Sequence, residues 1–225
     1  MIRSVCHFIG YKHYRRGEVK MSVSQMNIDV FRMINNLGNQ YSFLNPIAIF
    51  FAEYMLYILA LGMVIYWFTR TKQNRMMIIQ AVIAFIFAEI VGKISGLFYS
   101  HHQPFADLPN VNQLIDHAID NSFPSDHTIL FFSICFSIWL VRKKEGWLWL
   151  VIACFVGIFR IMVGVHYPVD IIFGAIFGTT SAILSYWIAP KLTFLKSLLN
   201  VYEKVENFFL PAKYKSYTKD KYKNF

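Results

Sequence analysis

Five apolar stretches constrain this chain more than any other feature. Residues 46–69, 77–99, 128–141, 147–164 and 170–189 are nearly devoid of charge, and about 20 mostly apolar residues suffice for a helix to cross a bilayer. The third stretch is short, and the fourth contains Arg160. Pro46 opens the first, Pro124 precedes the third, Pro168 precedes the fifth and Pro190 closes it. A residue without an N–H suits such helix starts and stops. Hydrophobic residues make up 56% of the chain and charged ones 16%, against roughly 25% charged in an average soluble domain. A water-soluble fold would leave a large apolar surface uncovered. The pattern predicts an all-α integral membrane protein, a bundle of about five transmembrane helices with amphipathic helices at both ends.

The net charge of +9 does not signal nucleic acid, because of where it lies. Residues 1–20 carry +4 and residues 191–225 carry +5, while the 170 residues between sum to zero. The basic excess flanks a neutral, apolar body, which points to membrane lipids as partners and away from nucleic acid. No repeat, Gly/Ser linker or low-complexity tract interrupts that body, so one membrane domain is expected over residues 46–190. The cysteines Cys6, Cys135 and Cys154 form neither a disulfide framework nor a metal-ligand set.

Basic connections remain in the cytoplasm. Arg70, Lys72 and Arg75 mark one inner connection, and Arg142, Lys143 and Lys144 another. The loop 100–126 has no Lys or Arg but four Asp, and with the loop 165–169 it is assigned to the outside. Five spans then place the Lys-rich C-terminus inside and the N-terminus outside. The +4 of residues 1–20 conflicts with that placement, and the conflict disappears if Met21 is the natural start and residues 1–20 are a non-native or disordered extension. Ile28, Phe31, Ile34 and Leu37 recur at helical spacing within 21–45, and Leu195, Leu198, Leu199, Tyr202, Val205 and Phe209 do so within 191–225. Each pattern fits a helix lying on the membrane surface or one packed on protein.

The polar residues gather at the outer ends of these spans. His101, His102, His117, His127 and His166 all fall there, as do Arg160, Ser125, Asp170 and Lys93. Ionisable groups in or beside membrane spans are costly and mark function or specific pairing. In Arg160-Ile-Met-Val-Gly-Val-His166-Tyr-Pro-Val-Asp170, the Arg suits two phosphate oxygens. An Asp bonded to one imidazole nitrogen leaves the other free to attack. In Ser122-Phe-Pro-Ser-Asp-His127, Ser125 suits an N-cap, and a helix N-terminus is a ready phosphate site. His127 on the first turn is placed to protonate a leaving oxygen. Plain capping accounts for Ser and Asp in that run, but not for His. Glu53 reads as a polar group hydrogen-bonded within the bundle.

Together these residues resemble the type 2 phosphatidic acid phosphatase superfamily. Pro124-Ser125-Asp126-His127 matches its Pro-Ser-x-His signature, and Arg160, His166 and Asp170 match Arg-x5-His-x3-Asp. The runs 122–127 and 166–170 are most similar to the bacitracin-resistance branch of undecaprenyl-diphosphate phosphatases. The superfamily's first signature, Lys-x6-Arg-Pro, departs here: Gln103-Pro104-Phe105 stands where that branch has Arg-Pro-Phe, and Gly96 stands at the Lys position. Lys93 is the nearest cation, either reaching the site or pairing with Glu89 four residues earlier. His101 or His102 would supply positive charge only when protonated, making activity pH-sensitive.

The resemblance implies hydrolysis of undecaprenyl diphosphate, without metal or cofactor, through a phosphohistidine on His166. Asp170 would set its tautomer and His127 would act as the acid, with phosphate contacts from Arg160, Ser125, Asp126, Gln103 and Lys93. It further implies a multi-pass protein of a bacterial cell membrane that recycles the cell-wall lipid carrier, its site facing outward. Phosphatidylglycerophosphate or phosphatidate as substrate, and a lipid-binding or transport protein, are the rival readings.

Overall fold

The computed structural model describes residues 23–209, so the extension at 1–20 and the end of the C-terminal tail lie outside the described residues. All regular structure among these is helical. An amphipathic helix α1 (Val23–Asn35) leads through a short turn into α2 (Ser42–Phe68). Helix α3 spans Lys72–Phe98, α4 is the single turn Pro104–Asp107, and α5 spans Asp126–Val141. Helices α6 (Lys143–Met162), α7 (Pro168–Ile188) and α8 (Thr193–Phe209) complete the chain. The expected membrane bundle is present: α2, α3, α6 and α7 are long and apolar enough to cross a bilayer, and α5 is a shorter apolar helix. The first span begins at Ser42, four residues before the predicted Pro46.

At 1.5 Å per residue, the 16 residues of α5 extend about 24 Å, less than the roughly 30 Å of hydrocarbon. Packing explains why this suffices. Helix α5 sits against α3, α6 and α7 at once, with Ile129, Phe131, Cys135 and Ile138 fully buried. Lipid-facing residues lie on the surrounding helices, including Leu61, Ile65, Ile90, Leu148 and Ile176. Gly178 permits the close α5–α7 approach. A Cβ there would stand 2.8 Å from the Ser133 nitrogen and 2.9 Å from the Ile129 oxygen, backbone atoms that cannot swing aside.

Each end of the bundle has its own polar clamp. At one end α1 buries Phe31. Asn35 Nδ2 donates to the Met162 and Asn112 carbonyls, both at 2.9 Å, satisfying a terminal carbonyl of α6. Arg32 donates to the Pro109 carbonyl at 2.7 Å. The N-terminal pattern is therefore a protein-packed helix that braces the long loop. At the opposite end Arg75 is 1% exposed, pairs with Glu206 at 2.5 Å and lies over the rings of Trp67 and Tyr202. That set docks α8 through its Glu face, while Phe194, Leu198, Val201, Val205 and Phe208 form an exposed apolar stripe. The C-terminal helix thus has one face on protein and one turned away from it.

Gly178→Val is expected to lower stability by about 1–3 kcal/mol through overpacking at the α5–α7 seam. Leu61→Ala, on the outward face, should change it little. Thermal unfolding in detergent micelles measures both.

Candidate active site

Two local structures bring the site together. Ser125 caps α5, its Oγ accepting from Thr128 N at 3.4 Å and from Thr128 Oγ1 at 3.1 Å. Helix α6 ends shortly after Arg160, and a tight turn leads to α7. Gly164 in that turn has φ +91°, a left-handed conformation that favours glycine. Asp170 lies in the first turn of α7, and its carbonyl accepts from Ser125 N at 3.3 Å, so the two helix starts are joined directly.

His166 is buried, and its neighbours define its tautomer. Nδ1 lies 3.0 Å from the Ser122 carbonyl, an acceptor only. Nε2 lies 3.3 Å from Arg160 Nη2, a donor only. The ring therefore carries its proton on Nδ1 and a lone pair on Nε2. Burial, with the Arg160 charge adding to it, outweighs the Asp170 carboxylate and holds its pKa below the usual 6.5. Asp170 Oδ2 stands 3.6 Å from Nδ1, beyond a hydrogen bond. The Ser122 carbonyl is the nearest acceptor for the ring proton, and Asp170 acts on the ring both at ion-pair distance and through the Ser122 hydroxyl. Its Oδ2 accepts from Ser122 Oγ at 2.7 Å and from Tyr167 N at 2.9 Å.

Arg160 is 2% exposed. Its Nη1 reaches the Ala52 carbonyl at 3.5 Å, and Ala52 lies in a π-helical turn, Phe50–Tyr54, which breaks the regular hydrogen-bond ladder of α2. Glu53 in the same turn acts electrostatically on Arg160, as does Asp126. The Nε of Arg160 is buried without a hydrogen-bond partner among the described residues. Leaving a buried donor unpaired is costly, and an anion at this position would satisfy it.

His127, half-buried on the first turn of α5, is within electrostatic reach of Arg160, His166 and His117. It lines a cavity of about 220 Å³ with Leu56, Phe85, Glu89, Asp126 and Leu130. Three predicted phosphate contacts differ from expectation. Asp126 lines this cavity with Glu89, on which it acts electrostatically, a placement beside another carboxylate that suits a phosphate poorly. Lys93 is exposed on α3, with its charge acting on Glu89 and no contact to Arg160 or His166. Gln103 is fully buried and spent on Asp120, donating from Nε2 to the carboxylate and accepting Asp120 N at 3.1 Å on Oε1.

The structure thus joins Arg160, His166, Asp170 and Ser125, with His127 alongside. It adds Ser122, which sequence reasoning passed over within the same Ser-Phe-Pro-Ser-Asp-His run. It also adds His101, whose Nε2 is 3.0 Å from Asp170 Oδ1, and His117, whose ring centroid is 6.3 Å from that of His166. Among the described residues, no three His, Cys, Asp or Glu side chains are grouped to hold a metal ion.

Similarity to known proteins agrees with this geometry. The chain is 62% identical over 205 residues to the bacitracin transport permease protein BcrC of Bacillus licheniformis, covering 91% of this chain and 100% of the relative. It is 31% identical to the undecaprenyl-diphosphatase BcrC of Bacillus subtilis (strain 168), covering 81% and 94%. Its fold matches the crystal structure of Aquifex aeolicus LpxE with a TM-score of 0.61 at 26% identity, covering 72% of this chain and 94% of that one. The PAP2 superfamily model matches residues 77–194, a range containing both matched signatures, and the chain belongs to the PAP2 superfamily.

Proposed function

We propose that this protein hydrolyses undecaprenyl diphosphate to undecaprenyl phosphate and inorganic phosphate. The observation that carries the reaction is the His166 ring: Nδ1 faces a carbonyl and Nε2 faces a guanidinium, which leaves a nucleophilic lone pair beside an anion receptor. The relatives' undecaprenyl-diphosphatase names and the shared family support the substrate. The B. licheniformis relative is named for transport, but a poised nucleophile is chemistry that transport does not need.

The terminal phosphate takes the place of His166 Nε2 on Arg160, engaging Nη2 and the unpaired Nε. The Ser125 hydroxyl and the first amides of α5 face its remaining oxygens, where developing charge is stabilised. Nε2 bonds to phosphorus as the bridging P–O bond breaks, and His127 gives its proton to the departing lipid phosphate. Water then attacks the phosphohistidine, His127 accepts the water proton, the N–P bond breaks and inorganic phosphate leaves. Asp170 and the Ser122 carbonyl stabilise positive charge on the His166 ring during attack. No step draws on a metal or cofactor.

The membrane placement follows from charge. By the positive-inside rule we read the end with Arg70, Arg75, Arg142 and Lys143 as cytoplasmic, with the site and α1 at the outer surface of a bacterial cell membrane and α8 at the inner leaflet. The polyprenyl tail remains in the bilayer while its headgroup meets the site. Residues 46–190 act as the phosphatase domain, braced by the protein-packed helix α1 and followed by the amphipathic helix α8.

Phosphate release from undecaprenyl diphosphate by purified protein tests this reading. His166→Ala should lower the rate on the order of 10³-fold or more and His127→Ala by roughly 10²–10⁴-fold, with EDTA leaving it unchanged. An unaltered rate in His166→Ala refutes the nucleophile. Ser122→Ala keeps the carbonyl that orients His166 but removes a hydrogen bond to a buried carboxylate, a contact contributing about 1.5–3 kcal/mol. Its kcat should fall at least about tenfold with KM little changed.

A further inference from the structure

His101 is a cation only when protonated, and its two ring contacts bear on that condition. Its Nδ1 lies 3.0 Å from the His102 carbonyl and its Nε2 lies 3.0 Å from Asp170 Oδ1. Both partners accept and neither donates; the Nε2–Oδ1 approach is an ion-pair contact rather than an aligned hydrogen bond, and a cationic ring is the form that suits two acceptors. His166 shares the same Asp170 yet meets a donor at Nε2. One carboxylate therefore lies between a neutral imidazole and a charged one. His102 does not compete for this role, because it is exposed and its Nδ1 has a single contact, the Asp120 carbonyl at 3.3 Å.

We infer that His101 is a positioning residue, held as an imidazolium against Asp170, and that it supplies the site with the positive charge that neutral Gln103 does not. This rests on the phosphatase reading for its consequence, though not for the charge itself. Asp170 is fully buried, and its Oδ1 has no hydrogen-bond partner among the described residues, with the His101 ring at ion-pair distance. Without His101 its charge would cancel that of Arg160 before any ligand arrived; with His101 the three groups together are cationic and suit a diphosphate. The loop holds the ring there: Ser122 N donates to the His101 carbonyl at 2.8 Å, His101 N donates to Asn121 Oδ1 at 3.3 Å, and Gln103 grips Asp120 at both ends. An Arg at 103 has no acceptor and could not take the Asp120 N–H.

The charged and titratable groups around His101 are Asp170 on α7, Asp107 on α4, Tyr99 beyond α3 and Tyr167 before α7. The two tyrosine rings lie 5.4 and 5.2 Å away. Burial disfavours the imidazolium, but the adjacent Asp170 carboxylate, with the His102 carbonyl and Asp107, outweighs it and raises the pKa above 6.5. The ring is therefore more than half charged at pH 6.5, and the charge is lost as pH climbs through the raised value. KM for the diphosphate should rise across that window, by up to roughly tenfold per pH unit where only the charged form binds.

Ring ¹⁵N NMR of histidine-labelled full-length protein in micelles tests the charge without any turnover, the His101 signals being identified by their loss in His101→Gln. His101 should titrate above 6.5, and Asp170→Asn should bring it back to that value or below. A His101 ring that titrates at or below 6.5 in the unaltered protein overturns the inference. KM–pH profiles then test the consequence. His101→Lys, cationic throughout the window, should flatten the rise seen in the unaltered protein, whereas the substrate titrates alike in both. An identical rise in His101→Lys contradicts the role. If the lipid reading were wrong, turnover would be absent while the ring titration persisted, so the two failures are distinguishable.

Discussion

A carboxylate buried where α7 begins organises this protein. Asp170 is removed from water, and a buried charge is tolerated only when paired and hydrogen-bonded. The Ser122 hydroxyl, the Tyr167 amide and the His101 ring approach it from the long loop and the α6–α7 turn. Its backbone carbonyl also receives Ser125 N, so the same residue joins the starts of α5 and α7. The Gly178 seam sets the interhelical distance that makes this junction possible. Packing deep in the bundle and chemistry at its end are thereby parts of one constraint.

The same principle operates at the opposite end with opposite sign. Arg75 is buried as thoroughly as Asp170 and is met by Glu203 and Glu206 from α8. There the neutralised charge fastens a helix. At the Asp170 end no carboxylate pairs directly with Arg160, whose guanidinium meets the Ala52 carbonyl and the His166 ring instead. That difference separates a structural ion pair from a site prepared for an anion.

Much of this was legible in the sequence. Hydropathy and proline placement gave the bundle, because lipid demands long apolar helices whatever their tertiary partners. Spacing brought Arg160, His166 and Asp170 together, since a helix end, a tight turn and a helix start leave little freedom between them. Hydropathy could not reveal that short α5 is the central helix, because a residue facing lipid and one facing protein look alike. Gln103, Lys93 and Asp126 departed from expectation for a related reason. Their roles depend on how loop 100–126 pairs with itself and on which way the first turn of α5 faces, and neither has a periodic signature. Ser122 and His101 act through contacts between segments 20 or more residues apart, set by that same loop.

The central claim is that Nε2 of His166 is the attacking atom. Rapid quenching at alkaline pH during turnover of a terminally ³²P-labelled diphosphate lipid, followed by isomer-resolved analysis of the labelled peptide, tests it directly. The account predicts label on His166 as the Nε2-phosphorylated isomer, formed and discharged at rates compatible with turnover. Phosphate on Nδ1, on another residue, or on no residue while hydrolysis proceeds would contradict it.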